Sequence, residues 1–416
     1  MANNYTLFVR NSDDLWAGRD APAPAQYEVA PDGIWTWFSD RRAIYRNGAT
    51  YAQYVKANGN VCMARRVESS GDTAEATIHA LTQQNDHNNG GFCFLPDGRI
   101  FSAYSLHNDT GGTRYRISTN AEDISAWGST AALTVTTPAT YSNPYYLSQT
   151  DKVYLHYRSG AGGVGTNPIN VRAYDVTAGT WDAERTWLDN ASTRPYVKSV
   201  GNGVNRIDLF FTDMHPNQGN SSVYHVYMQL DGSGAELFYK SDGTLIGSGP
   251  ITPADATLVH TGGANRSWVW DLLVKDGVIH ALYSTFPNAT TDHRLRYAKC
   301  VSGSWSTSEV CAMGGRLYSS ESYYSGGGAL DRGDPAKAFA SIQQAGGAWE
   351  LSEWSTADGG SSWSKLRDVT SGGASSMRNC RPIGVDGGVS GGTRALWWAG
   401  VYSSYESYST AIRGTK

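Results

Sequence analysis

A short turn followed by a strand of alternating apolar and polar residues recurs along the chain. It is read at APDGIWTWFSD (from Ala30), LPDGRIFSAYS (from Leu95), SQTDKVYLHYRS (from Ser148) and GVNRIDLFFTD (from Gly203). It returns at VKDGVIHALYST (from Val274), DPAKAFASI (from Asp334) and GGTRALWWAGVY (from Gly391). Successive side chains of an extended chain point to opposite faces, so period-2 alternation behind a tight turn marks a hairpin strand. No long amphipathic helical pattern interrupts the series, and no run of about 18 apolar residues is present to span a membrane. Seven copies, about 50 to 75 residues apart, predict a seven-bladed β-propeller filling residues 1–416 as a single all-β domain, because four-stranded units of this size repeat radially. A β-sandwich or β-helix with irregular strands is the competing arrangement. Thr356, Asp358, Gly360 and Trp363 also fit the S/T-x-D-x-G-x-x-W form of an Asp box. That is a hairpin turn found in many propellers, and it speaks to fold rather than to chemistry.

Composition agrees with the pattern. The 416 residues include 47 Gly, 25 Tyr and 14 Trp, and only 17% are charged. The net charge of −4 argues against a general nucleic-acid binder but leaves room for a local basic cleft and an anionic substrate. The opening residues, MANNYTLFVRNSDD, do not read as a signal peptide, which leaves the compartment open. The five cysteines, Cys62, Cys93, Cys300, Cys311 and Cys380, are too sparse and too few for a disulfide scaffold.

Four clusters carry candidate chemistry. His87 and His107 flank the strand unit at Leu95, so two antiparallel strands joined by one turn return both rings to one rim, beside Asn88, Asn89 and Asn108. The bland alternative is that each histidine bonds loop backbone. In KVYLHYRSG, alternation puts Tyr154, His156 and Arg158 on one face and Leu155 and Tyr157 on the other, with Arg172 in a following strand. A tyrosine near arginine and histidine suits proton transfer, although spacing alone favours Tyr157 as inter-blade packing. His215, Tyr224 and His225 surround a Gly/Asn/Ser loop of the kind that binds ligands on a rigid scaffold. His260, His280, Cys300 and Cys311 offer the two-His, two-Cys set of a structural zinc site. A Cys300–Cys311 disulfide or two free thiols are the alternatives. No carboxylate pair stands out for glycoside hydrolysis, and the arginine triad and Tyr–Glu pair of a sialidase are not seen.

Taken together, NDHNNGGFCFLPDGRIFSAYSLHN, TYSNPYYLSQTDKVYLHYR, RPYVKSVGNGVNRIDLFFTDMHP, SSVYHVYM with FYKSDGTLI, and YYSGGGALDRGDP resemble the BNR-4 type propellers. These include the ulvan lyases of polysaccharide lyase families 24 and 25. The resemblance runs from about Gln84 to about Asp368. It implies β-elimination on an acidic, sulfated, uronate-containing polysaccharide, without a catalytic cofactor. By position it makes His87 and His107 the active-site pair, Tyr157 the catalytic tyrosine and Arg172 the arginine that neutralises the uronate carboxylate, with Arg158 as its competitor. Asn88, Arg158, His215, Tyr224 and His225 are then expected to contact substrate. Some relatives carry a structural metal, which favours zinc at the Cys/His set. A secreted, periplasmic or cell-surface monomer is expected, with neither nucleic acid nor membrane as partner. The loop after His87 reads NNGG where many relatives have a proline. A glycoside hydrolase on an acidic glycan and a non-catalytic glycan-binding propeller are the other two readings.

Overall fold

The computed structural model describes residues 23–81, 83–136, 138–160, 167–388 and 390–416, so the opening stretch MANNYTLFVRNSDD lies outside it. Strands dominate, joined by tight hairpins. At Asp276-Gly277 both turn residues have positive φ (51° and 77°), the type I′ geometry whose twist matches the flanking strands Ser267–Lys275 and Val278–Asn288.

Five sheets are discrete blades, each made from one consecutive run of chain. The first holds Ala43–Arg46, Ala49–Val55, Val61–Val67 and Thr73–His79. The second begins at Gly91–Phe94, the third at Ala139–Leu147, the fourth at Tyr196–Gly201 and the fifth at Ser267–Lys275. The remaining strands form one eight-stranded sheet that runs from Gly328–Leu330 to Ser407–Thr415 and takes in Gln26–Ala30 at its edge. Its two halves meet through the parallel pairing of Trp349 with Arg378. Inner strands touch in ring order: Gly91–Phe94 against Ala139–Leu147, then Tyr196–Gly201, then Ser267–Lys275, then Gly328–Leu330. Two pairings close the circle. Gln26–Ala30 lies antiparallel to Ser407–Thr415, and Ile44 bridges Asp386.

The propeller is therefore all-β as expected, but the count of seven blades is corrected: the described residues form five discrete blades plus one eight-stranded sheet. Four of the seven sequence units fall one to a blade, in the second to the fifth. The units at Asp334 and Gly391 share the eight-stranded sheet, and the first blade carries none of the seven. The unit at Ala30 is not a strand hairpin. Ile34, Trp35, Thr36, Trp37 and Phe38 are all buried and enter the ring as an axial plug. There Trp37 stacks on Trp270 at 4.6 Å and packs edge-on against Trp268 at 4.9 Å, while Phe38 meets Tyr196 at 4.6 Å. Alternation and burial on all sides give the same apolar-rich string, so the pattern did not separate them. The Asp box forms: Asp358 Oδ1 accepts from the backbone N–H groups of Ser361 and Ser362 at 2.9 Å, and Trp363 packs on Tyr297.

Candidate active site

The chain entering the second blade makes a single 3-10 turn, Asp86–Asn88, above the plug. Asn85, Asp86, His87, Asn88 and Asn89 are buried, although every one is polar. Such groups are stable inside only when bonded, and here most of their polar atoms are; Asp86 Oδ1 makes no hydrogen bond but lies 2.7 Å from His87 Nδ1. Thr36 N–H donates to both Asn89 Oδ1 (2.9 Å) and the Asp86 carbonyl (3.0 Å), and Asp86 N–H donates to the Tyr405 carbonyl at 2.8 Å. Asn88 Nδ2 donates to the Gln83 carbonyl at 2.8 Å, while its Oδ1 accepts from His107 N–H at 2.8 Å. The loop lies so close to the neighbouring strand that a Cβ at Gly90 would fall 1.6 Å from the Ala103 carbonyl oxygen. One asparagine thus ties both histidine-bearing loops together. The His87 and His107 rings stack at 4.1 Å and 15°, with Tyr405 edge-on to both.

The third and fourth blades add the opposite wall. A bulge between Thr140 and Asn143 puts Tyr141 in the left-handed region at φ 65°. A tyrosine held there costs about 1–3 kcal/mol, a strain that concentrates at functional sites. The Tyr141 ring lies 5.8 Å from His87 and 6.0 Å from Tyr196. Arg158, near the end of the strand Lys152–Ser159, sets its guanidinium 4.7 Å from the Tyr141 ring centre and 5.4 Å from that of Tyr196. Arg158 Nη2 donates to Asn108 Oδ1 at 3.3 Å and the Tyr141 and Tyr196 phenols favour its charge, but Nε and Nη1 make no hydrogen bond of ordinary geometry and the side chain has no ion pair among the described residues. His215 closes the group. It packs edge-on against Trp268 at 4.5 Å and Tyr196 at 5.4 Å, and its Nδ1 accepts from Asn217 N–H at 3.0 Å.

Electrostatics separate these groups by protonation state. Burial, with His87 and Arg158 nearby, pushes His107 down to about 2. Burial, with Arg194 and Arg158 nearby, holds His215 well below the usual imidazole value. Burial raises the Tyr141 phenol, which therefore keeps its proton at neutral pH. Asp86 is fully buried, yet Arg381 and then His87 keep it below the usual carboxylate range. Neutral imidazoles at His107 and His215, a protonated phenol and the Arg158 cation thus cluster together. That set can bind an anion, accept a proton and donate one.

The structure does not bring the other nominated residues to this recess. Tyr157 points to the opposite face of its strand from Arg158 and sits with Phe101, Ala103 and Tyr174 in a separate core. Burial and Glu184 raise its phenol. Arg172 faces the outer part of the third blade, where Nε and Nη1 each donate at 2.7 Å to the Asp182 and Thr134 carbonyls. Beside the histidine pair the structure places Tyr141 and Arg158 instead. His225 is fully buried inside the fourth blade, bonded to Asp208 Oδ1 at 3.1 Å and Ser241 Oγ at 2.9 Å, and Tyr224 stacks on Phe211.

At the proposed zinc set the geometry is plain: no group of three or more His, Cys, Asp or Glu side chains among the described residues is placed to hold a metal. Cys300 pairs across its hairpin with Trp305 and Cys311 with Leu295. The two cysteines thus lie at different levels of the hairpin, and both are free thiols. His280 Nδ1 is bonded to Tyr297 Oη at 2.6 Å, and His260 packs on Tyr283. With nothing to satisfy, these side chains serve the core.

Sequence reasoning missed Tyr141, Tyr196 and Asp86. All three stand in segments quoted above, and Tyr196 heads an inner strand. Nothing local, however, distinguishes Tyr141 from the other tyrosines before its bulge is seen.

Residues 49–313 match the sequence profile of the BNR repeat-containing family. No match to a curated protein sequence was found. Among solved structures, the chain is similar to a family 25 polysaccharide lyase, an ulvan lyase bound to -[GlcA(1-4)Rha3S]-. The TM-score is 0.72 at 15% identity, over 93% of this chain and 95% of the other. The ulvan lyase in a second structure gives 0.71 at 15% identity over the same shares. An α-L-arabinofuranosidase from Fusarium graminearum reaches only 0.45 at 9% identity, over 78% and 91%.

Proposed function

The chain belongs to the BNR repeat-containing family, and from that premise we propose that it is a polysaccharide lyase cleaving a uronate-containing, ulvan-like polymer by β-elimination. The observation that carries this reading is Arg158, a buried cation with two unpartnered N–H groups and no carboxylate partner among the described residues. A buried charge without a counter-ion is costly, and a substrate carboxylate fits the role. Its pairing with Arg158 withdraws charge from the uronate and acidifies the C5 proton.

A free imidazole nitrogen of the His87–His107 pair takes that proton, and the protonated Tyr141 phenol gives its own to O4. The C5–H electron pair becomes the C4=C5 π bond, and the C4–O4 pair leaves with the oxygen. Proton exchange with solvent then restores both groups. Arg158 supplies the cation, so no metal or cofactor enters the scheme. The fold likeness to an ulvan lyase is consistent with this reading. A hydrolase would need carboxylates at the scissile bond. Asp86, the carboxylate that touches the histidine pair, is instead fully buried and bonded to Arg381 and Tyr402. Polymers of this kind are met outside the cell, and we place the protein there.

The test is ultraviolet absorbance of unsaturated uronyl products from ulvan and a panel of other uronate polymers, without added cofactor. A rise in absorbance is expected, lost in His107→Ala and Tyr141→Phe. Reducing ends without absorbance would make the protein a hydrolase, and binding without cleavage a glycan-binding propeller.

A further inference from the structure

Behind the stacked histidines lies a buried relay that the proposed chemistry does not by itself require. Asp86 is inaccessible to solvent. Its Oδ2 accepts from Arg381 Nη1 at 2.5 Å and from Tyr402 Oη at 2.8 Å. Its Oδ1 lies 2.7 Å from His87 Nδ1, which also reaches Asn85 Oδ1 at 2.9 Å. Asn85 Oδ1 has the better hydrogen-bond direction, and Asp86 Oδ1 supplies the negative charge. Both are acceptors, so His87 Nδ1 must carry a proton, and a lone pair on this ring can sit only on Nε2.

Arg381 comes from the far side of the ring, where a register shift between Cys380 and Ile383 gives it φ 50°. Its guanidinium lies over Trp37 at 4.6 Å and Tyr402 at 5.2 Å, and it also donates to the Trp35 carbonyl at 3.2 Å. The eight-stranded sheet, the axial plug and the histidine loop thus converge on a single carboxylate.

We propose that Asp86, held by Arg381 and Tyr402, is a positioning residue that fixes His87 in the Nδ1–H tautomer and aims Nε2 into the recess as the proton acceptor. The inference rests on the lyase reading for its catalytic consequence, but not for the tautomer. In hydrolytic triads a buried carboxylate on the far nitrogen orients a histidine base; here the carboxylate supplies the charge at 2.7 Å while Asn85 Oδ1 accepts the hydrogen bond. The groups facing His87 on other sides are His107, Tyr141 and Tyr405. Glu406 stands behind Asn85, with Oε1 3.4 Å from its Nδ2. Tyr318 is close enough to Asp86 to feel its charge, and Arg158 acts on the neighbouring His107.

Two measurements test the proposal. Nitrogen-15 NMR of the wild-type protein is expected to show His87 with its proton on Nδ1, and a proton on Nε2 with Nδ1 bare would overturn the assignment. Asp86→Asn is expected to lower kcat by about 10²- to 10⁴-fold, with KM within about threefold of wild type. The acid limb of its kcat/KM profile should move to lower pH, a shift that loss of packing alone would not produce. Because Arg381 left without its carboxylate can destabilise the fold, Tyr402→Phe is the second variant. It removes one donor to Asp86 at constant charge and is expected to cost about tenfold in kcat. A wild-type lyase whose two variants keep kcat and pH profile would overturn the role of Asp86. A wild-type protein yielding no unsaturated product would sink the lyase reading instead, with the NMR result still deciding the tautomer.

Discussion

Replacing Arg158 by glutamine should abolish most of the activity and leave the fold intact or firmer. The side chain is buried, bonded to Asn108 at 3.3 Å, and sits over the rings of Tyr141 and Tyr196. Glutamine can keep a donor to Asn108 but brings no charge. A cation and a carboxylate about 4 Å apart near a protein surface attract by about 4 kcal/mol. Only the part of this that grows as charge develops on the substrate enters kcat. Loss of one such donor elsewhere costs about 2.7–4 kcal/mol, or about 10²- to 10³-fold. The free protein, in contrast, is relieved of a buried cation without a counter-ion among the described residues, which offsets the lost ring contacts. The expected result is a 10²- to 10³-fold fall in kcat/KM for ulvan, read by ultraviolet absorbance, with a melting temperature equal to or above wild type by calorimetry. Arg158→Lys, which keeps the charge and loses the fork, should fall between the two. A glutamine variant within about threefold of wild-type kcat/KM would refute the assignment of Arg158 to the substrate carboxylate.

Three further outcomes follow from the structure. Tyr157→Phe and Arg172→Ala should keep kcat/KM close to wild type, because Tyr157 lies in a separate core and Arg172 is bonded to the Asp182 and Thr134 carbonyls; a collapse of activity in either would return them to the site. Stability should fall as pH drops below the ordinary histidine value. Burial depresses His107 to about 2, His156 to about 3 and His280 to about 4, so between those values and about 6.5 the unfolded chain binds protons that the folded one does not, and each such group contributes up to about 1.4 kcal/mol per pH unit. His156→Gln should flatten that slope in denaturant titrations at pH 4 to 7, and an unchanged slope would count against it. A chelator should leave the melting temperature unchanged, and all five cysteines should react with a thiol reagent after unfolding, since all are free; a metal-dependent melting temperature would restore the zinc set.

The meeting of the two histidines was legible because it lies in local pattern. His87 and His107 bracket one strand unit, and hairpin geometry alone returns such flanks to one rim. The alternation of KVYLHYRSG separated Arg158 from Tyr157 correctly. The choice between those faces was not legible: family position pointed to Tyr157 and Arg172, whereas the strand sets Arg158 beside Tyr141 and Tyr157 in a separate core. Tyr141 was hidden because a bulge, not the alternation, sets its direction. The spacing of the Cys/His set likewise did not show that hairpin register separates Cys300 from Cys311.

By itself the chain determined that it is built of strands, where most hairpins turn, and which two histidines share a loop neighbourhood. These follow from side-chain periodicity and turn chemistry, which act over a few residues. Tertiary structure alone decided that Ile34–Phe38 is a plug rather than a strand, that the last two units share one eight-stranded sheet, and that Arg381 reaches Asp86 across 295 positions of sequence. Those outcomes depend on which faces meet when the ring closes. Burial on every side leaves the same apolar string as a strand, and a charge finds its partner only once distant blades have met.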